Sequence, residues 1–415
     1  MQTHSRTIGS HHKGKSLNAS LTESRLGRFC ATCVVIALIT VGLLKLVDMG
    51  LNAALPYTAG LFPLNSRVRS QTLDYDAVAN INTFGFRGAQ QELRSGQIVV
   101  VGDSFTFGLG SADEGTWPYI LEQRFRQSGD GRNVYNFGTP GTDTLFHIEV
   151  ARESLVIKPS VLVLSVLLAD DFQQVFEARE RNALAPSSDS VRTVETTKRV
   201  LKRALPGLFK LFRRMKYGKS PDGQGGGDEP RRISQSFSDE KLEELRERTA
   251  HFPPELRQAV LHGDVNLGLF QFAAEYPNRS WRFWDDLTRA NAKALSDARF
   301  IQTKIAELAE DMRDYGGQLV VFAMPSGEFV ESRFTASYRL YGASIPDDNL
   351  TTLVPEERLR EIAERAGATF VGSLSRFRGL TDADPFFPTD GHLNTVGNSL
   401  VAAILFEHLA ADSGQ

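Results

Sequence analysis

One serine in this sequence stands where a hydroxyl can be made into a nucleophile. Ser104 lies in Gly102-Asp103-Ser104-Phe105-Thr106-Phe107-Gly108, directly after the apolar run Gln97-Ile98-Val99-Val100-Val101. That pattern reads as a buried strand ending in a Gly-rich corner, and in open parallel sheets ligands bind outside the carboxyl ends of the strands. A hydroxyl needs a base to take its proton, and an imidazole does so best when a carboxylate fixes its tautomer. Gly-Asp-Ser would also serve as a plain turn with a helix N-cap, so the partners decide. Beyond residue 55 the histidines are His147, His251, His262, His392 and His408. His147 and His408 fall in amphipathic helical patterns, and His251 and His262 in a charged, helix-forming stretch, where surface or packing roles are ordinary. His392 differs: it sits in the polar loop Phe387-Pro388-Thr389-Asp390-Gly391-His392-Leu393-Asn394, with Asp390 two residues away. On a non-helical loop that carboxylate can stand beside the ring while the other nitrogen faces Ser104.

These residues need a scaffold that brings position 104 to position 392. Val134-Tyr135-Asn136-Phe137 reads as a second strand, ending in Gly138-Thr139-Pro140-Gly141, and Val161-Leu162-Val163-Leu164-Ser165-Val166-Leu167-Leu168 as a third, ending in Asp170-Asp171. Further strands are predicted at Gln318-Leu319-Val320-Val321-Phe322-Ala323 and Ala368-Thr369-Phe370-Val371. A helix is predicted through Trp117-Pro118-Tyr119-Ile120-Leu121-Glu122, with Pro118 in a first turn that tolerates it, and another from about residue 395 to 410. Alternating strands and helices predict an α/β fold with a parallel sheet between helical layers. From about 56 to 96 the chain reads as a loop-rich approach to the first strand. From about 172 to 300 the strand signal gives way to charged helical sequence, read as an insertion, with a Gly-rich tether at Ser220-Pro221-Asp222-Gly223-Gln224-Gly225-Gly226-Gly227.

Gly102-Asp103-Ser104, the Gly138 to Gly141 turn and Asp390-Gly391-His392, in this order, resemble the SGNH (GDSL-type) hydrolase superfamily over residues 80 to 170 and 315 to 410. The segment Asn82-Thr83-Phe84-Gly85-Phe86-Arg87-Gly88 and the ending Asp390 to Asn394 are similar to its membrane-anchored, exported branch. The resemblance implies a flavodoxin-like three-layer fold, with Ser104 as nucleophile, His392 as base and Asp390 as its orienter. It also implies an oxyanion hole made of the Ser104 and Gly141 amides and a side chain at Asp170. Family members usually read Gly-x-Asn-Asp there, where this chain has Leu168-Ala169-Asp170-Asp171. They also commonly space the acid and histidine by one residue more; the shorter spacing is similar to enzymes that O-acetylate exported polysaccharides such as alginate. Three readings follow: an esterase or deacetylase of O-acylated glycans or related molecules, a polysaccharide O-acetyltransferase with the same triad and a membrane partner supplying acyl groups, and a glycan-binding or assembly protein without chemistry. Ser104 is not in a Gly-x-Ser-x-Gly elbow, which speaks against an α/β-hydrolase.

The N-terminal region bears on location. From Phe29 to Leu44 there is no charge, and with Lys45 snorkelling the apolar run reaches Val47, close to the roughly 20 residues of a bilayer span. Arg6, Lys13, Lys15, Arg25 and Arg28 precede it against one acid, Glu23, which predicts a cytoplasmic tail at 1–28, an anchor at 29–47 and an extracytoplasmic domain at 56–415, periplasmic in a Gram-negative cell. A cleaved signal peptide is the rival, with Asn52-Ala53-Ala54 supplying small residues. Cys30 and Cys33 lie inside the span and read as small apolar residues rather than a redox pair. A net charge of -3 with no basic module gives no reason to expect nucleic acid, and no His and Cys cluster has metal-ligand spacing, so neither metal nor cofactor is expected. The one strongly basic stretch, Lys198 to Lys219, holds nine Lys and Arg and no acid, interleaved with Leu and Phe. It reads either as a solvated helix pair or as a surface for anionic lipid or acidic glycan.

Overall fold

The computed structural model describes residues 15–55, 57–59, 61–72, 74–90, 92–184, 204–217, 243, 246–247, 249–262, 279–340 and 345–412. The predicted tether at 220–227 lies outside the described residues. The chain divides into two compact units, one of residues 1–57 and 189–212, the other of 58–188 and 213–415.

The first unit contains helix α1 (Lys15–Ala54). Its segment Phe29–Ala54, 26 residues with a mean hydropathy of 2.4, is long and apolar enough to cross a membrane, a property shared with signal sequences. It runs seven residues beyond the predicted Val47 because Asn52-Ala53-Ala54 continues the helix rather than breaking it.

The second unit opens with a feature the sequence reading missed. Within the expected loop at 56–96, strands β1 (Arg67–Gln71) and β2 (Asp76–Asn80) pair antiparallel, Val68 opposite Ala79. Their inward face is made of Val68, Ser70, Ala77 and Ala79, and the other positions are mostly charged or amide residues, so no apolar alternation of useful size marks them.

Next come β3 (Ile98–Val101), α2 (Ser104–Phe107), α3 (Trp117–Gln127), β4 (Val134–Asn136), α4 (Thr144–Ser154), β5 (Val161–Leu167) and α5 (Asp171–Leu184). The remaining strands are β6 (Gln318–Met324) and β7 (Thr369–Val371). The five strands β3 to β7 are all parallel, in the order β4-β3-β5-β6-β7, with Val99 beside both Tyr135 and Leu162. Counting from β3, that is the 2-1-3-4-5 order of flavodoxin-like folds, which confirms the expected class. Every residue of β3 and β5 is buried, as strands covered on both faces must be, which is why they read as unbroken Val, Ile and Leu runs.

Helices cover the sheet. Between 172 and 313 the described helices include α6 (Pro206–Tyr217), whose first residues belong to the first unit, and, in the second unit, α7 (Arg279–Thr288) and α8 (Ala292–Arg313). The stretch read as an insertion begins and ends on the sheet body: α5 packs against β5 and α4, and α8 against β6, α4 and α5. The C-terminal helix α9 (Thr395–Asp412) packs on α3. Asn398, fully buried, ties the two: its Oδ1 accepts from Trp117 N at 2.9 Å and its Nδ2 donates to Leu393 O at 3.0 Å.

Strand order puts the switch point between β3 and β5, where the connections diverge and where sheets of this kind open a crevice. Ser104 follows β3 there, and Asp170 follows β5. The turn after β4 is stitched to the same edge, with Phe137 N donating to Val100 O at 2.8 Å and Thr139 N to Gly102 O at 2.8 Å. Gly138 makes this approach possible, since a Cβ on it would lie 2.1 Å from Phe107 N and 2.6 Å from Phe107 Cα. The obstacle is backbone on both sides, so no rotamer change relieves it. Replacing Gly by Ala where it fits stabilises by roughly 0.4–1 kcal/mol, but a clash of this kind costs about 1–3 kcal/mol or more. Gly138→Ala is therefore expected to lower the midpoint of urea unfolding, and an unchanged or raised midpoint would contradict the packing.

Candidate active site

Ser104 is the first residue of α2, where the backbone leaves β3. Asp103 caps that short helix, its side chain accepting from Phe105 N at 3.0 Å. The other end of α2 is held by Arg87, which is buried: its Nη1 donates to Phe107 O at 2.9 Å and Gly108 O at 2.8 Å, its Nη2 to Ser111 O at 2.6 Å, and its Nε to Asp113 at 2.9 Å. The Asn82 to Gly88 segment thus has a physical task. Asn82 Oδ1 accepts from Phe84 N at 2.9 Å, closing the turn that presents Arg87. Arg87 in turn satisfies carbonyls that the end of a short helix leaves unpaired.

His392 arrives from the opposite end of the chain. The loop that carries it is folded back on itself, Phe387 N donating to His392 O at 2.8 Å and Gly391 N to Phe387 O at 3.0 Å, with Gly391 at φ 80°, a region that suits glycine. Asn394 ends the loop by capping α9, its Oδ1 accepting from Val396 N at 2.8 Å. His392 Nε2 lies 2.8 Å from Ser104 Oγ, joining residues 288 apart in sequence, and its Nδ1 meets Asp390 Oδ1. Asp390 is fully buried, and His392 is 5% exposed. A carboxylate only accepts, so Nδ1 carries the proton and Nε2 is free to accept from the serine hydroxyl. Burial pulls the His392 pKa down, but the Asp390 charge and hydrogen bond, with the charges of Asp103 and Asp170, outweigh it, and the net shift is upward. Burial would raise Asp390, yet His392 and the hydrogen bonds it receives hold it below the ordinary carboxylate value. The arrangement is competent to move the Ser104 proton onto the imidazole.

Two residues of this constellation were not legible in the sequence. Tyr75, in the turn between β1 and β2, donates its hydroxyl to Asp390 Oδ2 at 3.0 Å. Beside it, Asp74 Oδ2 accepts from Thr389 N at 2.8 Å and Asp390 N at 2.6 Å. Tyr75 also packs on Phe387, ring centroids 4.9 Å apart. Burial, then the neighbouring Asp390 charge, push the Tyr75 phenol far above its ordinary value, so it stays protonated and always donates. The two partners lie 315 residues apart, and no local motif announces such a contact.

The other sequence candidates have the following surroundings. Gly141 is exposed, at φ 71°, in the turn after β4. Asp170 is half-buried before α5, and its Oδ2 accepts from Gln174 Nε2 at 2.6 Å. His147 is fully buried, its Nε2 2.9 Å from Thr142 Oγ1, and burial lowers its pKa to about 3. His251 packs on Phe252, ring centroids 4.7 Å apart. Around the crevice, burial raises three carboxyls: Asp103 to about 7, helped by the Asp170 charge; Glu328, after β6, to about 7; and Asp171 well above its ordinary value. The crevice therefore holds less negative charge at neutral pH than its carboxyl count suggests. Among the described residues no group of three or more His, Cys, Asp and Glu is placed to hold a metal ion.

Tyr75 draws electron density from the Asp390 carboxylate, so its removal should strengthen the bond from Asp390 to His392. In Tyr75→Phe the His392 pKa, read by NMR titration of the labelled imidazole, is expected to rise above the already raised value of the unsubstituted chain. An unmoved titration would show that the phenol does not act on the pair.

A search of curated proteins finds no match. Among solved structures the chain is similar to TesA, at 10% identity and a TM-score of 0.33, covering 75% of this chain and 97% of that one. It is also similar to a catalytic mutant of Axe2, an acetylxylan esterase from Geobacillus stearothermophilus, at 10% identity and a TM-score of 0.31, covering 76% and 95%. AlinE4, an SGNH-hydrolase family esterase, is similar at 19% identity and a TM-score of 0.18, covering 39% and 96%. The family model for GDSL-like lipase/acylhydrolase matches residues 98–405, a span that takes in all five parallel strands together with Ser104, Asp390 and His392. On that match the chain belongs to the GDSL-like lipase/acylhydrolase family.

Proposed function

We propose that the protein is an exported, membrane-anchored serine esterase that removes O-acyl groups, foremost O-acetyl, from glycans or related molecules through an acyl-Ser104 intermediate. The observation that carries the reading is the buried chain from Asp390 through His392 to Ser104, with 2.8 Å between Nε2 and Oγ. Export rests on the apolar Phe29–Ala54 helix and the five basic residues before it. In this reading 1–28 is a cytoplasmic tail and the catalytic domain lies outside the cytoplasm.

In the first half-reaction Ser104 Oγ attacks the ester carbonyl while its proton passes to His392 Nε2. The Asp390 carboxylate, locked on Nδ1, stabilises the imidazolium that forms. The carbonyl oxygen becomes an oxyanion, for which the Ser104 and Gly141 amides are the proposed donors. His392 then returns the proton to the leaving sugar oxygen. In the second half-reaction His392 takes a proton from water, which attacks the acyl carbon; the bond to Ser104 Oγ then breaks, His392 returns the proton to Oγ, and a carboxylic acid leaves. The resemblance put a third donor at Asp170, but an ionised carboxylate would repel an oxyanion, and Asp170 accepts from Gln174. We therefore assign stabilisation to two backbone amides.

The two-residue step from Asp390 to His392 favours a second reading, an O-acetyltransferase in which a sugar hydroxyl replaces water in the second half-reaction. That reading needs an acyl donor delivered by a membrane partner, since one helix cannot carry acyl groups across a bilayer.

His392 must be neutral to accept a proton. Hydrolysis of a small aryl ester should be lost as pH falls through its raised pKa, above the ordinary value near 6.5. Ser104→Ala and His392→Ala should each lower kcat by roughly 10^4-fold or more with unfolding midpoints near that of the unsubstituted chain. Near-normal turnover by folded His392→Ala would overturn the assignment.

A further inference from the structure

Helix α6 takes no part in the proposed chemistry, yet it is built into the end of α1. Asp48, 3% exposed in an otherwise exposed apolar helix, accepts from Leu208 N at 2.9 Å and so caps the first turn of α6. Gly207 passes so close that a Cβ on it would lie 2.0 Å from Asp48 O. Lys45 Nζ donates to Ala204 O, and Lys210 Nζ donates to Asn52 O at 2.9 Å. The charges of Lys45 and Asp48, unusual in an apolar helix, thus have partners on and beside α6. Cleavage after the apolar run would take all of these partners away.

The level of this junction follows from helix geometry. At about 1.5 Å per residue, Asp48 lies roughly 28 Å along α1 from Phe29, close to the ~30 Å thickness of a bilayer hydrocarbon core. If Phe29 enters at one boundary, α6 starts at the other. Leu208, Phe212 and Met215 follow at intervals of four and three, which places them on one helical stripe. Phe212 is 62% and Met215 66% exposed. The helix sequence also carries Lys210, Arg213, Arg214 and Lys216 and no acidic residue.

We infer that α6 is an interfacial helix lying on the anionic bilayer surface where α1 emerges, with the Phe212 stripe in the boundary between headgroups and acyl chains. The inference rests on reading Phe29–Ala54 as a retained membrane span. An acidic polysaccharide would answer the cations but offers no apolar phase for Phe212 and Met215, whereas a lipid surface answers both.

The test uses the full chain in lipid nanodiscs holding one copy each, with lipids brominated either near the headgroup or near the acyl terminus. Added tryptophan is read as difference emission against the unsubstituted chain, which has three of its own. Phe212→Trp should lose most of its emission to shallow bromines and less to deep ones, more strongly with phosphatidylglycerol than with phosphatidylcholine alone. Met215→Trp provides a second, independent reading. Val41→Trp, at a position 58% exposed within the apolar run, should be quenched by deep bromines. Quenching at residue 41 without quenching at 212 or 215 overturns the interfacial helix and leaves the anchor standing. No quenching at any of the three overturns the anchor and the helix proposal together. A response at residue 212 only when acidic polysaccharide is added assigns the helix to glycan and overturns the lipid reading.

Discussion

An imidazole can take a proton from a serine only while it is neutral, protonated on its far nitrogen and held within hydrogen-bond distance of the hydroxyl. The distance to the hydroxyl and the proton on the far nitrogen are set by the partners of His392, neutrality holds above its raised pKa, and most of the surrounding structure serves this geometry. The sheet order brings Ser104 to the switch point, and α9, pinned to α3 through Asn398, brings the His392 loop to the same edge. The hairpin turn reaches across from the other side, where Asp74 holds the loop amides and Tyr75 holds Asp390. A fully buried carboxylate without such partners would be costly, because an uncompensated buried charge is destabilising by about 3–5 kcal/mol. Asp390 avoids this with donors on both oxygens.

Charge distribution poses the opposite difficulty. The reaction proposed for this site builds an oxyanion beside Asp103, Asp170, Asp171 and Glu328, and an array of ionised carboxylates there would oppose it. Burial shifts Asp103 and Glu328 to about 7 and Asp171 well upward, so protonation removes part of the repulsion at neutral pH. Asp103 and Asp170 also lie where their ionisation favours the imidazolium over the neutral ring, which couples their state to the state of the base.

What could be read from the sequence was whatever leaves a local trace. The β3 and β5 runs are unbroken apolar segments because both sheet faces are covered, and the Gly102, Gly138 and Gly391 turns mark sites of close approach or left-handed backbone. Asp390 and His392 are near neighbours in sequence, so their pairing could be anticipated from spacing. The β1 to β2 hairpin could not, since its buried side chains are few and small. Tyr75 and Asp74 act on a loop more than 300 positions away, and only the folded chain joins them. Arg87 lay within a segment that the sequence singled out by likeness, but its task, capping the carbonyl end of the nucleophile helix, needed coordinates.

The central claim is that Ser104 is a nucleophile made reactive by His392. The most direct measurement is incubation of the folded full chain with a fluorophosphonate, followed by mass mapping of its peptides. The adduct should fall on Ser104 and be lost in His392→Ala. A folded protein that takes no label, or takes it on another serine, would contradict the claim.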